Sequence, residues 1–183
     1  AFIARSPHAI AYTGEIKRGH YLTRSVASVP VLLVRDKDGL LRAFLNACAH
    51  RGACVAQGEG KAQRFKCSYR AWCYDQQGRL IARPGAEHFD GIDEAGLGLK
   101  PLPVVEERGL VIVGLQDGVE VSGHLDSVAH ALEYPYQEYE HLKTWEFTVE
   151  ANWKLVVDVN FEGYHFPFLH KNSLHPIALG NAS

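Results

Sequence analysis

The sequence contains no methionine, and only 4 cysteines and 8 prolines occur in 183 residues. It does not begin with methionine, and it ends at Ser183 just after its most chemically loaded stretch, so it is expected to be a fragment of a longer protein. Long apolar runs are missing too. Val29–Val34 and Gly109–Leu115 fall far short of the roughly 20 residues a membrane span requires. Residues 1–7 have no basic segment followed by an apolar one, so they do not read as a signal peptide. Neither sign of charge dominates. Lys plus Arg is 19 and Asp plus Glu is 21, giving a net charge of −2 with no basic run, which argues against a nucleic-acid partner. No internal repeat or low-complexity tract is present. What remains, 46% hydrophobic and 22% charged, is the composition of a globular protein with no membrane partner, expected in the cytoplasm.

The first part of the chain reads as short strands with glycine turns. Tyr21–Val26, Val29–Arg35 and Leu40–Ala47 are candidate strands, the last two joined by Asp36-Lys37-Asp38-Gly39. Phe65–Cys67, Ala71–Tyr74 and Arg79–Ala82 follow, with Asp75-Gln76-Gln77-Gly78 as a second turn. Gly109–Leu115 is a continuous apolar strand, resumed at Val119–Ser122. Together these predict an antiparallel β domain over residues 20–121, after an N-terminal lead of 1–19. Residues 84–103, rich in Gly, Pro and acids, read as a surface loop. From His124 the spacing becomes helical at Leu125, Val128, Ala129 and Leu132, and Pro135 stops it. Trp145–Val149 reads as a strand, and Asn152 as the cap of a helix running to about His165. Residues 122–183 therefore form a second, mixed region.

All four cysteines, at 48, 54, 67 and 73, lie close together in the sequence. Cys48-Ala49-His50 puts a thiolate and an imidazole on one tight loop, and Cys67 on a second loop can face them. That donor set suits zinc or an iron–sulfur cluster. Nothing indicates an oxidising compartment, so a disulfide framework is not expected. A second constellation lies at Asp158, Glu162, His165 and His170. On a helix the first three fall within about 60° of one another, between apolar flanks, which predicts a buried polar stripe. His165 and His170 would not converge on a continuous helix. Pro167 disfavours helix at Phe166 and offers a break that would bring both imidazoles to one metal. Two histidines and a carboxylate are the ligand set of non-haem Fe(II) oxygenases.

Residues 46–53 (Asn-Ala-Cys-Ala-His-Arg-Gly-Ala) and 65–75 (Phe-Lys-Cys-Ser-Tyr-Arg-Ala-Trp-Cys-Tyr-Asp) resemble the two cluster loops of the Rieske-type ring-hydroxylating oxygenases. Asn152-Trp153-Lys154-Leu155 followed by Glu162-x-x-His165-x-x-x-x-His170 resembles the iron-binding segment of the same family's large subunit. The resemblance implies a mainly β, then α+β fold: a Rieske-like antiparallel β domain followed by the start of an α+β catalytic domain. It implies a [2Fe-2S] cluster held by Cys48, His50 and Cys67. It also implies mononuclear Fe(II) held by His165 and His170, with a third carboxylate ligand downstream of this chain. Glu162 matches the carboxylate that links the mononuclear site to a neighbouring subunit's cluster, and with Asp158 it is a candidate catalytic group. The fourth cluster position holds Arg70, which has no lone pair to donate and is not a ligand. Cys54 and Cys73 are close enough in sequence to substitute, giving a zinc site or an altered cluster; otherwise the cluster is unstable or absent, or Arg70 is a sequence change in an otherwise ordinary family member. Ala71 stands where the family often has glycine.

The implied activity is that of a terminal oxygenase component. A reductase, sometimes with a ferredoxin, supplies electrons for O₂-dependent hydroxylation or demethylation of a small organic, expectedly aromatic, substrate. The full-length protein would be a homotrimer or hetero-oligomer, and this segment would be inactive alone. An electron-transfer module and a zinc-binding structural module with a degenerate Rieske site remain the alternatives.

Overall fold

The computed structural model describes residues 5–88, 91, 94–132, 142–143 and 145–178. The chain forms two compact units, Ala1–Leu142 and Lys143–Ser183. The first contains strands β1 (Pro7–Tyr12), β2 (His20–Val26), β3 (Val29–Arg35), β4 (Leu41–Leu45), β5 (Glu59–Lys61), β6 (Arg64–Lys66), β7 (Cys73–Asp75), β8 (Leu80–Ala82), β9 (Pro101–Leu102), β10 (Val104–Glu107) and β11 (Leu110–Gly114). They form three antiparallel sheets, ordered β1-β11-β10, β5-β2-β3-β4-β9 and β6-β7-β8. This is the expected antiparallel β architecture.

β3 explains why its sequence is an unbroken apolar run. Successive side chains of a strand point to opposite faces, so a run without alternation needs a core on both sides. Val31 and Leu33 enter one core, with Ile16, Leu22, Ala43, Val111 and Val113. Leu32 and Val34 enter a second, with Phe44, Cys48, Phe65, Cys67, Trp72 and Tyr74. Both cysteine loops therefore pack on the face of the central sheet opposite β10 and β11.

Both Asp-x-x-Gly segments are turns of one design. The Asp36 carboxylate accepts from Asp38 N and Leu40 N, and that of Asp75 accepts from Gln77 N and Arg79 N. Gly39 and Gly78 take φ of +91° and +78°, which L side chains rarely adopt.

Several elements differ from the sequence reading. β1 lies inside the expected lead and pairs with β11, so it belongs to the sheet. Residues 84–103 are more than a surface loop. They supply the buried Leu99 to the second core and place β9 beside β4. Val119–Ser122 is not a strand, because the Glu120 carboxylate bonds Val121 N and Ser122 N locally. The helical spacing after His124 yields a 3-10 run, Asp126–Leu132, and Pro135 lies outside the described residues.

In the second unit, residues 145–149 pair with no strand among the described residues. Helix α1 (Trp153–Phe161) starts as expected, with Asn152 Oδ1 accepting from Lys154 N at 3.0 Å. It stops four residues short of His165, because Glu162 is extended (φ −102°, ψ 115°) and Gly163 follows. Two short helices, α2 (Phe166–Leu169) and α3 (His175–Ala178), complete the unit. Phe166 is helical despite the following proline: Pro167 sits in the first turn of α2, where its missing N–H costs nothing.

Candidate metal centres

The two cysteine loops share a hydrogen-bond pattern. Cys48 N donates to Ala53 O and Gly52 N to Cys48 O; Cys67 N donates to Trp72 O and Ala71 N to Cys67 O. In both loops the residue four after the cysteine is left-handed: Gly52 at φ +73° and Ala71 at φ +58°. The loops are thus local copies, one closed by glycine and the other by a strained alanine. Buried Asn46 pins the first loop: Oδ1 accepts from Val55 N and Ala56 N, and Nδ2 donates to Ala56 O.

Cys48 and Cys67 are buried, and all four cysteines are free thiols. Tyr74 Oη lies 3.2 Å from Cys48 Sγ and accepts from Ala49 N at 3.1 Å. That leaves the phenol's own proton for the sulfur. Burial, then the bond to Cys48, pushes the Tyr74 pKa well above its ordinary value, so it remains a donor. The His50 ring stacks on Trp72 with centroids 5.1 Å apart. Arg70 Nη1 donates to His50 Nε2 at 3.3 Å, because arginine can only donate. Desolvation, then the Arg70 and Arg51 charges, holds the His50 pKa below its usual value. A cleft of about 680 Å³ opens here, lined by His50, Lys66, Tyr69, Arg70, Trp72 and Gly85.

The structure thus brings Cys48, His50, Cys67 and Arg70 into one region. Tyr74 and Trp72 were missed by the sequence reading. Their only signal is an aromatic pair flanking Cys73 on a short strand. Among the described residues no group of three or more His, Cys, Asp or Glu side chains surrounds one ion position. Zinc needs four donors around one point, so a zinc site gains no support. A two-iron cluster spreads its cysteines and histidines over two metals and does not need that convergence. Cys54 is exposed and Cys73 only partly buried, and neither joins a donor group.

In the second unit both oxygens of Glu162 serve His165. Oε1 accepts from its backbone N at 3.1 Å and Oε2 from ring Nδ1 at 2.7 Å. The bond with His165 lowers the Glu162 pKa. This pairing leaves Nε2 of His165 as the outward donor, the usual arrangement for a metal-ligating imidazole. The His170 ring lies 5.3 Å from that of His165, centroid to centroid, at 66°. The two imidazoles flank the one-turn helix α2, His165 as its N-cap and His170 as its C-cap, after the chain breaks at Glu162 and Gly163. Asp158 stays on α1, ahead of that break. The expected buried stripe is not formed: Asp158 and Glu162 are exposed, as is every residue of α1.

Residues 6–103 match the family described as Rieske [2Fe-2S] domain, and residues 136–183 match the ring-hydroxylating alpha subunit (catalytic domain). The chain belongs to the Rieske ring-hydroxylating oxygenase alpha subunits. This Rieske oxygenase chain is 33% identical over 171 residues to the carnitine monooxygenase oxygenase subunit of Acinetobacter pittii, covering 90% of this chain and 46% of that protein. It is 33% identical over 172 residues to the chloroplastic choline monooxygenase of Beta vulgaris, covering 87% of this chain and 38% of that protein. The chain thus spans less than half of these relatives. Among solved structures, CntA, a quaternary ammonium Rieske monooxygenase bound to an inhibitor, matches with a TM-score of 0.84 at 30% identity, over 91% of this chain and 48% of that one. Naphthalene 1,2-dioxygenase with indole bound matches with a TM-score of 0.82 at 27% identity, over 99% of this chain and 44% of that one. A [2Fe-2S] cluster and a mononuclear iron are the cofactors of such Rieske oxygenases. The mononuclear site fits in part: two imidazoles stand together, one oriented by a carboxylate. The cluster site does not fit at Arg70.

Proposed function

We propose that the chain is part of the terminal oxygenase component of a Rieske system: a β domain through about residue 121, and the opening of the catalytic domain from residue 122. The supporting observation is the Glu162–His165–His170 arrangement, lying in the segment matched by the catalytic-domain family. His165 and His170 would hold the mononuclear iron, which when bound supplies O₂ activation for hydroxylation or demethylation. Glu162 keeps the His165 tautomer and ring direction and stays ionised while doing so. Asp158 is the second candidate carboxylate of the region. A reductase, with or without a ferredoxin, supplies electrons, and the working assembly is an oligomer. A similar quaternary ammonium Rieske monooxygenase is described in terms of inter-subunit electron transfer, which favours that arrangement.

The substrate class we propose is a small quaternary ammonium compound. Relatives at 32–34% identity are named for choline, carnitine and glycine betaine. That replaces the aromatic expectation, which comes from the resemblance to ring-hydroxylating oxygenases; the naphthalene 1,2-dioxygenase structure with indole bound matches at 27% identity. Four free cysteines suit a reducing compartment such as the cytoplasm. No helix among the described residues is long and apolar enough to cross a membrane. The test uses the whole protein as Arg70→His, since Arg70 cannot ligate the cluster that would receive the electrons. It supplies a reductase and NADH, and offers choline, carnitine, glycine betaine and naphthalene in turn. O₂-dependent conversion of a quaternary ammonium compound supports the reading. Conversion of naphthalene alone overturns the substrate class, and no O₂ uptake with any of them overturns the oxygenase reading.

A further inference from the structure

Position 70 is where the loop site and the family's cofactor disagree. We infer that the loop site of this chain is a three-donor site that does not retain a [2Fe-2S] cluster, and that a nitrogen donor at position 70 is the single missing component. This rests on reading Cys48, His50 and Cys67 as the cluster donors.

The exclusion follows from the chemistry of arginine. Its guanidinium has five N–H donors and no lone pair, and stays protonated. Here it is already engaged, donating to His50 Nε2 at 3.3 Å and lying 5.3 Å from the Tyr69 ring centroid. No replacement donor is in place: Cys54 is exposed and Cys73 only partly buried, and among the described residues neither belongs to a group of three or more ligating side chains.

The sufficiency argument follows from everything else at the site. Both loops have the same closing hydrogen bonds without metal. Cys48 and Cys67 are buried and free, so neither is consumed in a disulfide. Tyr74 is placed to donate to Cys48 Sγ, and Trp72 holds the His50 ring by stacking. The scaffold does not depend on Arg70: both loops are closed by their own backbone bonds. The open cleft beside Arg70 also leaves room for a free imidazole once the long side chain is removed.

The test incubates the full chain anaerobically with iron and sulfide, as the Arg70 protein, Arg70→His, and Arg70→Ala with and without added imidazole. Iron and acid-labile sulfide per chain, the visible spectrum and the EPR signal of the reduced sample are read. Trp72 fluorescence checks that each variant is folded. The Arg70 protein and Arg70→Ala alone are expected to stay colourless. Arg70→His, and Arg70→Ala with imidazole, are expected to take up two irons and two sulfides per chain with a Rieske-type signal. A normal cluster in the Arg70 protein overturns the exclusion. Folded rescue variants that both stay empty overturn the sufficiency. A cluster in Arg70→His that survives Cys48→Ala overturns the donor assignment instead, which separates failure of that reading from failure of this inference.

Discussion

Exchanging the residue types at Gly52 and Ala71 should change stability in opposite directions. The two positions are equivalent in the paired loops, each four residues after a cysteine and each left-handed, at φ +73° and +58°. An L-residue in that region costs about 1–2 kcal/mol. Glycine avoids the strain, but gives the unfolded chain roughly 0.5–1 kcal/mol more entropy to lose. The difference favours glycine by about 0.5–1 kcal/mol. Ala71→Gly should therefore stabilise the first unit by that amount, and Gly52→Ala should destabilise it equally. No atom lies within 4 Å of a β-carbon built on Gly52, so its cost is backbone strain alone and no clash adds to it. With a urea m-value of about 2 kcal/mol/M, each exchange moves the midpoint by roughly 0.3–0.5 M. Tryptophan fluorescence suits the assay, because Trp72 is 3% exposed while Trp145 and Trp153 are 60% and 64% exposed. Equal m-values with midpoints shifted in opposite directions support the argument. A lower midpoint for Ala71→Gly would refute it.

Tyr74→Phe removes the donor to Cys48 Sγ and leaves Ala49 N without its acceptor. It should cost about 1–3 kcal/mol in the same urea assay, and a loss under about 0.5 kcal/mol would show that the network contributes little. Gly78→Ala would place a β-carbon 2.5 Å from Phe44 Cε1 at φ +78°. Clash and strain together should cost about 2–4 kcal/mol, and a neutral result in thermal melting would contradict the tight approach of turn and ring. The Glu162 pKa is depressed by His165, so its contribution is present above the ordinary value of 4.5 and is lost as pH falls through the lower folded value. Carboxyl-carbon NMR of Glu162 should give a midpoint below 4.5, returning toward it in His165→Ala; a midpoint at or above 4.5 in the parent chain would remove the pairing.

Features encoded locally were legible in the sequence. Asp36 and Asp75 each specify a turn through their own carboxylate, and Asn152 caps α1 with its own side chain. Cys48, His50, Cys67 and Arg70 could be picked out in the sequence as neighbours, because spacing on tight loops is itself geometry. Features that depend on distant partners were not. β1 exists because β11 lies beside it, about a hundred residues later, and its own Pro-His-Ala-Ile pattern is weak. Residues 145–149 show the reverse: a good strand sequence with no partner among the described residues. The end of α1 was misread because the stripe from Asp158 to His165 suits a helix, whereas the extended Glu162 and Gly163 end it. Tyr74 went unseen because its role depends on β7 crossing behind Cys48, which no spacing rule expresses.

The two-sided burial of β3 has a consequence for how the central hairpin finds its alignment. A strand with one wet face resists slipping, since a shift of one residue turns its apolar set into water. β3 lacks that safeguard: a slipped Val31–Val34 would still place apolar groups in both cores. The information that sets the pairing of Val31 with Leu45 and Arg35 with Leu41 must therefore sit at the ends of the strand. Asp36 holds the turn with its carboxylate, and Arg35 fastens the strand end to Ile16 O and Glu106. These few polar contacts act as the index mark for an otherwise featureless ruler. Substitutions at Asp36 should first yield misaligned chains rather than unfolded ones.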